Sequence, residues 1–323
     1  MVKRIGILTS GGDAPGMNAA VRAVVRTALG KGIECVGIRR GWNGLINSDF
    51  FPMDSDSVSH ILDRGGTILF TARSEECINE GGRKKAVATC KRLGLDGIVA
   101  IGGDGTFRGA LELSRMGIPV VGIPATIDND IGCSNYTIGF DTACNTAIEC
   151  IDKLRDTMQS HERCSVVEVM GRHAGYLALY VGIAVGATAV LIPGRDVVFG
   201  NDVWERIRES RLAGSTHFMI VVAEGAGSAV EIGKRIQGTV GIDPRVTVLG
   251  HIQRGGSPSS RDRITATYRG YEAVRLLAEG KTCRVVALQG ENYVDYDITE
   301  ALQMTKSLDQ HTYEVMRALT GVH

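Results

Sequence analysis

Three turns rich in glycine and aspartate, each placed directly after an apolar run, restrict this chain more than any other feature of it. They are Ser10-Gly11-Gly12-Asp13 after residues 5–9, Gly102-Gly103-Asp104-Gly105-Thr106 after 98–101, and Ala125-Thr126-Ile127-Asp128-Asn129-Asp130 after 120–124. An apolar run that breaks into such a turn reads as the strand-to-helix junction of an α/β protein. Glycine lets backbone N–H groups curl around an anion, because no Cβ blocks the approach. Aspartate at the mouth of the turn repels phosphate unless a metal or a proton intervenes. Both features together point to a phosphate that carries Mg²⁺ and a hydroxyl that must lose its proton, which is the chemistry of phosphoryl transfer.

Strand and helix patterns alternate along nearly the whole length. Strands are expected at 3–8, 33–38, 97–101, 118–123, 165–169, 189–192, 217–223, 245–249 and 284–288. Helices are expected at 16–29, 58–62, 84–93, 107–116, 174–185, 202–212, 229–237 and 262–277, with a helical tail and a long helix capped by Asp141. Alternation of this kind gives parallel sheets covered by helices on both faces. Ligands of such sheets sit beyond the carboxyl ends of the strands. The three opening turns fall there, as do Met170-Gly171-Arg172-His173, Glu224-Gly225 and Gly250-His251-Ile252-Gln253-Arg254-Gly255-Gly256.

Composition removes several classes of partner. Lysine plus arginine, 36, equals aspartate plus glutamate, 36, so the net field attracts neither nucleic acid nor an anionic membrane. The eight cysteines form no CxxC pair and no signal-like segment opens the chain, so reduced thiols in the cytoplasm are expected, without disulfide or zinc. Residues 176–193 carry no charge, but they contain Gly182 and Gly186 and end at Pro193. They read as a buried helix followed by a strand and not as a membrane span.

Each motif also has a plainer reading. The Gly11–Gly16 stretch is neither a Walker A loop nor a GxGxxG fingerprint, and can be an ordinary turn before a helix. Asp104 can hold Mg²⁺ through oxygen or merely cap the helix before Phe107. Asp128 and Asp130 can be a base with a positioning partner or a solvated pair. Arg163, Arg172, Arg245 and Arg254, with His251, can be surface ion-pair residues one by one. Together they are the guanidinium groups that a phosphorylated acceptor would need.

With these motifs in order, the chain closely resembles the bacterial ATP-dependent 6-phosphofructokinases. The matching segments are LTSGGDAPGMNAA at 8–20, RGGT at 64–67, IGGDGT at 101–106, PATIDNDI at 124–131, YTIGFDTA at 136–143, SVVEVMGRHAG at 165–175 and TVLGHIQRGGSPSSRDR at 247–263. The resemblance implies two similar Rossmann-like α/β/α domains with mostly parallel sheets and the active-site cleft between them. Residues 1–139 plus about 252–303 would bind ATP, and 140–251 plus about 304–323 would bind fructose 6-phosphate. MgATP would phosphorylate the sugar's 1-hydroxyl. Asp128 is then the general base, Asp104 positions Mg²⁺, Thr126 and Arg172 stabilise the transferring phosphoryl, and Asp130 orders the loop. Gly12, Arg73, Ser74, Gly103, Gly105 and Thr106 would line the nucleotide site. Ile127, Met170, Gly171, Glu224, His251, Ile252, Gln253 and Arg254 would join Thr126, Asp128 and Arg172 around the sugar phosphate. Arg163 and Arg245 would reach over from a neighbouring subunit of a homotetramer.

Two departures from the family pattern carry consequences. Glycine at 105 and a small residue, Ala125, leave room for ATP, where pyrophosphate-using relatives carry aspartate and lysine. At the family's separate effector site Arg22, Arg26 and Arg155 match, but Ser55 stands for an arginine, Thr188 for a metal-binding glutamate, and Ala213 and Ser215 for two lysines. The resemblance then implies weakened or altered effector control, because those cations are lost, or else a solvated interface face for the three surviving arginines. A pyrophosphate-dependent enzyme, a lipid or NAD kinase sharing the GGDGT turn, and a sensing subunit without turnover are the competing readings. The retention of Asp104, Asp128 and Arg172 speaks against the last.

Overall fold

A right-twisted strand that feeds a helix lays that helix back over the sheet, and the chain repeats this step throughout. The computed structural model describes residues 2–194 and 199–319. In chain order the strands are β1 (Arg4–Ser10), β2 (Glu34–Ile38), β3 (Phe50–Met53), β4 (Gly97–Gly102), β5 (Val120–Pro124), β6 (Cys164–Val169), β7 (Ala189–Leu191), β8 (Phe218–Ala223), β9 (Arg245–Val248), β10 (Arg284–Gln289) and β11 (Asn292–Asp297). The helices are α1 (Met17–Gly30), α2 (Trp42–Asn47), α3 (Glu80–Leu93), α4 (Asp104–Arg115), α5 (Phe140–Ser160) and α6 (Tyr176–Ala184). They continue with α7 (Glu205–Leu212), α8 (Ala229–Val240), α9 (Ser260–Ala278), α10 (Ile298–Gln303) and α11 (Gln310–Leu319).

The described residues fall into two units. The first takes them from Met1–Thr126, Ile131–Thr142 and Arg254–Lys306, and the second from Ile127–Asp130, Ala143–Gln253 and Ser307–His323. Residues 320–323, part of the expected second domain, lie outside the described residues.

The first unit is built on a seven-stranded sheet in the order β11-β10-β5-β4-β1-β2-β3. Its five inner strands are parallel, and β3 and β11 close the two edges antiparallel. Ile5, Ile7, Ile98, Val120 and Val121 are fully buried along the middle of the sheet. Helix α9 packs on α1, and Gly270 permits it: a Cβ there would lie 2.6 Å from that of Ala23. The second unit holds a four-stranded parallel sheet, β7-β8-β6-β9. Cys164, Val166, Ile220 and Val222 of its strands bury against Val203, Ile207, Ile232 and Ile236.

The expected α/β alternation is therefore present, with local corrections. The helix expected at 58–62 is a single tight turn at Asp56–Val58, held by Asp54, whose Oδ1 accepts from the Ser57 N–H at 2.8 Å. Such local side-chain bonds compete with helix propagation. Strand β3 was hidden by Pro52, which a sheet tolerates at an edge because it supplies no N–H. Helix α5 begins at Phe140, and the amide N–H groups of Gly139 and Thr142 donate to Asp262 from a distant helix, so Asp141 is a first-turn residue and not the cap. Residues 176–193 divide into α6 and β7, and no described helix is long and apolar enough to cross a membrane.

Candidate active site

Three of the first unit's parallel strands set the level of the three motif turns. In the ladders Ser10 lies opposite Gly102, and Gly102 opposite Pro124, so β1, β4 and β5 release their turns side by side from one edge of the sheet. Gly11 takes a left-handed φ of 91°, and its N–H donates to the Ala72 carbonyl at 3.3 Å. The Thr71 hydroxyl returns a bond to the Gly11 carbonyl at 2.8 Å. A Cβ on Gly12 would stand 2.5 Å from Arg254 Nη1, which itself donates to the Asp13 carbonyl at 3.2 Å. Arg254, expected at the sugar phosphate, thus lies against the first turn.

Asp104 is exposed as the first residue of α4, and Gly103 holds the cap position that the plainer reading assigned to Asp104. The helix N-terminus leaves its first amides directed outward, where an anion can be received. Gly105 is exposed as well, and a Cβ placed there would meet nothing within 4 Å. Thr106 is buried, and its hydroxyl donates to the Ser10 carbonyl at 3.0 Å. It ties the second turn to the first and does not face outward. Arg73 is exposed, its carbonyl accepting from Asn43 at 3.1 Å, while the Ser74 hydroxyl accepts from the Cys77 N–H at 3.2 Å. The Thr126 carbonyl accepts from the Thr137 hydroxyl at 2.7 Å, which fixes the stem of the third turn.

In the second unit Asp128 is 1% exposed, with Arg172 Nε 3.2 Å from its Oδ2. Asn129, next to it, has a φ of 52° and Arg172 one of 48°, both left-handed and costly for a residue with a side chain. The surroundings hold these conformations. The Arg172 N–H donates to Glu224 Oε1 at 2.7 Å, and Gly225 approaches the Arg172 carbonyl so closely that a Cβ would collide with it. Gln253 is fully buried and accepts from the Met170 N–H at 3.4 Å, so the turns after β6, β8 and β9 are joined. Gly171 has a left-handed φ of 121°, His251 and Ile252 are exposed, and Ile127 and Asp130 belong to the same unit.

Arg163 and Arg245 stand apart from this set. Arg163 precedes β6 and Arg245 opens β9, and the β6–β9 register starts from Ser165 opposite Arg245, so both are at the amino ends of their strands. Arg245 pairs at 3.4 Å with its neighbour Asp243 on the surface. Of the expected effector residues, Arg22 and Arg26 lie on α1 in the first unit. Arg155 belongs to the second unit and donates to the Val185 carbonyl. Thr188 is buried, its hydroxyl accepting from the Met219 N–H at 3.1 Å.

The family model for phosphofructokinase matches residues 4–277. The chain belongs to the phosphofructokinase family. Among relatives, an ATP-dependent 6-phosphofructokinase of Clostridium botulinum is 53% identical over 319 residues, covering 99% of this chain and 100% of the relative. That of Clostridium novyi is 53% identical over 320 residues with the same coverage. The solved phosphofructokinase of Saccharomyces cerevisiae superposes with a TM-score of 0.86 at 35% identity, over 98% of this chain and 46% of that one. The phosphofructokinase fold extends to a pyrophosphate-dependent member from Marinobacter aquaeolei, at a TM-score of 0.84 and 21% identity over 96% of this chain and 86% of that one.

Asp262 and Arg269 are fully buried charged residues that motif reading did not single out. Asp262 lies in the last quoted motif, and its burial was not visible there. Arg269 belongs to no motif and looks like any exposed arginine on a helix.

Proposed function

We propose that this phosphofructokinase transfers the γ-phosphate of MgATP to the 1-hydroxyl of D-fructose 6-phosphate, giving fructose 1,6-bisphosphate and ADP. The observation that carries the reading is 53% identity along the full length of relatives named ATP-dependent 6-phosphofructokinase. Gly105 supports ATP over pyrophosphate as donor, since it carries no side chain and the space its Cβ would point into is open to 4 Å.

In this reading Asp128 accepts the proton of the attacking hydroxyl as the new phosphorus–oxygen bond forms, a contribution of about 10²–10⁴ in rate. Arg172, 3.2 Å from Asp128, offers a guanidinium to the transferring phosphoryl, and Thr126, two residues before Asp128, would join it. Asp130 orders the loop. Gly12, Arg73, Ser74, Gly103 and Gly105 form the nucleotide set, with Thr106 serving it by tying two of its turns together, and Met170, Gly171, Glu224, His251, Ile252, Gln253 and Arg254 form the acceptor set. Mg²⁺, when bound, neutralises charge on the β- and γ-phosphates. Asp104 is the carboxylate suited to hold it. One carboxylate would suffice there, because Mg²⁺ usually takes one or two protein carboxylates and leaves its other positions to phosphate oxygens and water.

Arg163 and Arg245 support a homotetramer. The six residues of β6 lie between Arg163 and Met170, a span of about 23 Å at roughly 3.3 Å per residue, too far for one subunit's sugar phosphate to touch both. Each would instead serve the neighbouring subunit. The engagement of Arg155 with Val185, and the serines and alanine at 55, 213 and 215, support weakened control at the effector site. The enzyme would work in the cytoplasm.

A coupled assay of the purified chain on fructose 6-phosphate, with ATP and with pyrophosphate in parallel, tests the reading. Turnover with ATP is expected, and turnover with pyrophosphate alone would refute it. Strong activation by ADP at low sugar phosphate would refute the weakened control.

A further inference from the structure

The guanidinium of Arg269 is fully buried on α9, an unusual place for a cation with no carboxylate bonded to it. Its Nη1 donates to the Pro124 carbonyl at 2.9 Å, and its Nη2 donates to the Ser134 hydroxyl at 2.9 Å and to the Tyr136 carbonyl at 2.5 Å. Its Nε meets no acceptor. Pro124 ends β5 and begins the turn that carries Asp128, while Ser134 and Tyr136 lie where that segment returns. One planar group therefore grips both stems of the 125–133 segment. Ala125 and Ile138 form a bridge just beyond it, and the Thr137 hydroxyl donates to the Thr126 carbonyl at 2.7 Å.

Asp262, seven residues earlier on the same buried side of α9, holds the next stretch. It accepts from the Tyr136 hydroxyl at 2.5 Å, the Gly139 N–H at 2.7 Å, the Thr142 N–H at 2.9 Å and the Thr142 hydroxyl at 2.5 Å. Tyr136 is shared, with its carbonyl on Arg269 and its hydroxyl on Asp262.

We propose that Arg269 is a positioning residue for Asp128, acting by clamping the two stems of the loop that bears it. The proposal rests on the reading of Asp128 as the base of a sugar-phosphate kinase. Stability alone gives a poor account of the residue, because well-packed apolar side chains commonly replace buried ions at no net cost. A fork with donors in one plane does what such a side chain cannot: it fixes the distance between two strands of backbone. Misplacing a catalytic group by about 1 Å can cost on the order of 10²-fold in rate.

Arg269→Met and Arg269→Lys test the clamp in the full-length chain. With ATP and fructose 6-phosphate, the methionine variant should lose about 10- to 100-fold in kcat with both KM values within about twofold, and lysine should recover part of the loss. Hydrogen exchange gives a second readout: amides of 125–137 should exchange faster in the methionine variant while those of β6 stay at the wild-type rate. A wild-type kcat, a loss confined to KM, or unchanged exchange in 125–137 would overturn the proposal. A wild-type chain inactive on fructose 6-phosphate would overturn the kinase reading alone, and exchange would still decide the clamp. Should Arg269→Met fail to fold, Ser134→Ala removes one of the three acceptors, and a kcat and exchange pattern equal to wild type would refute the clamp in the same way.

Discussion

Replacing Asp262 by asparagine should destabilise the first unit by about 2 kcal/mol at neutral pH. The carboxylate is fully buried and receives four hydrogen bonds, two from backbone N–H groups and two from hydroxyls. An asparagine keeps one acceptor oxygen and turns an NH₂ toward two of the donors. Either hydroxyl can rotate to accept from that NH₂, but the backbone N–H beside it cannot. In both amide orientations one buried N–H, of Gly139 or of Thr142, is therefore orphaned, at about 1–3 kcal/mol. The interaction of a negative charge with the start of α5 goes as well, worth roughly 0.3–1 kcal/mol. Burial raises the Asp262 carboxyl above its ordinary value, against the pull of its four donors. A raised folded value means that the linked stability is fully present below the unfolded pKa and lost as pH climbs through the folded one. The deficit of Asp262→Asn should thus shrink as pH rises above the ordinary carboxylate range. Urea titration followed by tryptophan fluorescence measures it, and the two tryptophans make the signal local: Trp42 lies in the first unit and Trp204 in the second, so a Trp204→Phe background reports the first unit alone. A loss below about 0.5 kcal/mol, the scatter of ordinary surface changes, or a deficit that grows with pH would refute this account.

Asp128→Ser should lower kcat by about 10²–10⁴ while the KM for fructose 6-phosphate changes little, as steady-state kinetics would show. Equal losses in both would argue against its role as base. Arg163→Ser and Arg245→Ser should each raise the KM for the sugar phosphate with kcat largely kept. Mixing either variant with an Asp128→Ser chain should restore some native-like sites if the cations serve a neighbour, and no gain on mixing would exclude that. Burial pushes the Cys35, Cys90 and Cys164 thiols up to about 12 and Cys133 up to about 11. At pH 8 they hold little thiolate, so an aromatic disulfide reagent should modify the half-buried Cys150 and Cys283 first, and rapid loss of Cys133 instead would contradict the packing.

Periodicity was legible wherever burial was one-sided or complete. The runs that became β1, β4, β5, β6 and β8 are apolar because both faces of a parallel strand are covered, and such runs announce themselves. The two antiparallel edge strands do not: β3 carries a proline, and β11 reads Asn-Tyr-Val-Asp-Tyr-Asp with no fully buried side chain. The glycine and aspartate turns were visible because chemistry, not packing, selects those residues. Arg254 and Thr106 show where spacing falls short, since nothing in sequence says that one guanidinium rests on the Asp13 carbonyl or that one hydroxyl turns inward to Ser10. Asp262 and Arg269 were illegible for a related reason. A buried charge on a helix looks like a solvated one until its partners, more than a hundred residues away, are known.

The path of the chain between its two units bears on how it is made. It changes unit after residues 126, 130, 142, 253 and 306, so neither unit is a contiguous stretch that a single cut could release. During synthesis the whole of the four-stranded sheet, ending at Val248, emerges from the ribosome before β10 and β11 emerge to finish the seven-stranded one. The order of completion is then the reverse of the usual amino-terminal-first sequence. A nascent chain of which only residues up to about 255 have emerged would hold every strand of the second sheet, while β5 in the first would still lack its neighbour β10.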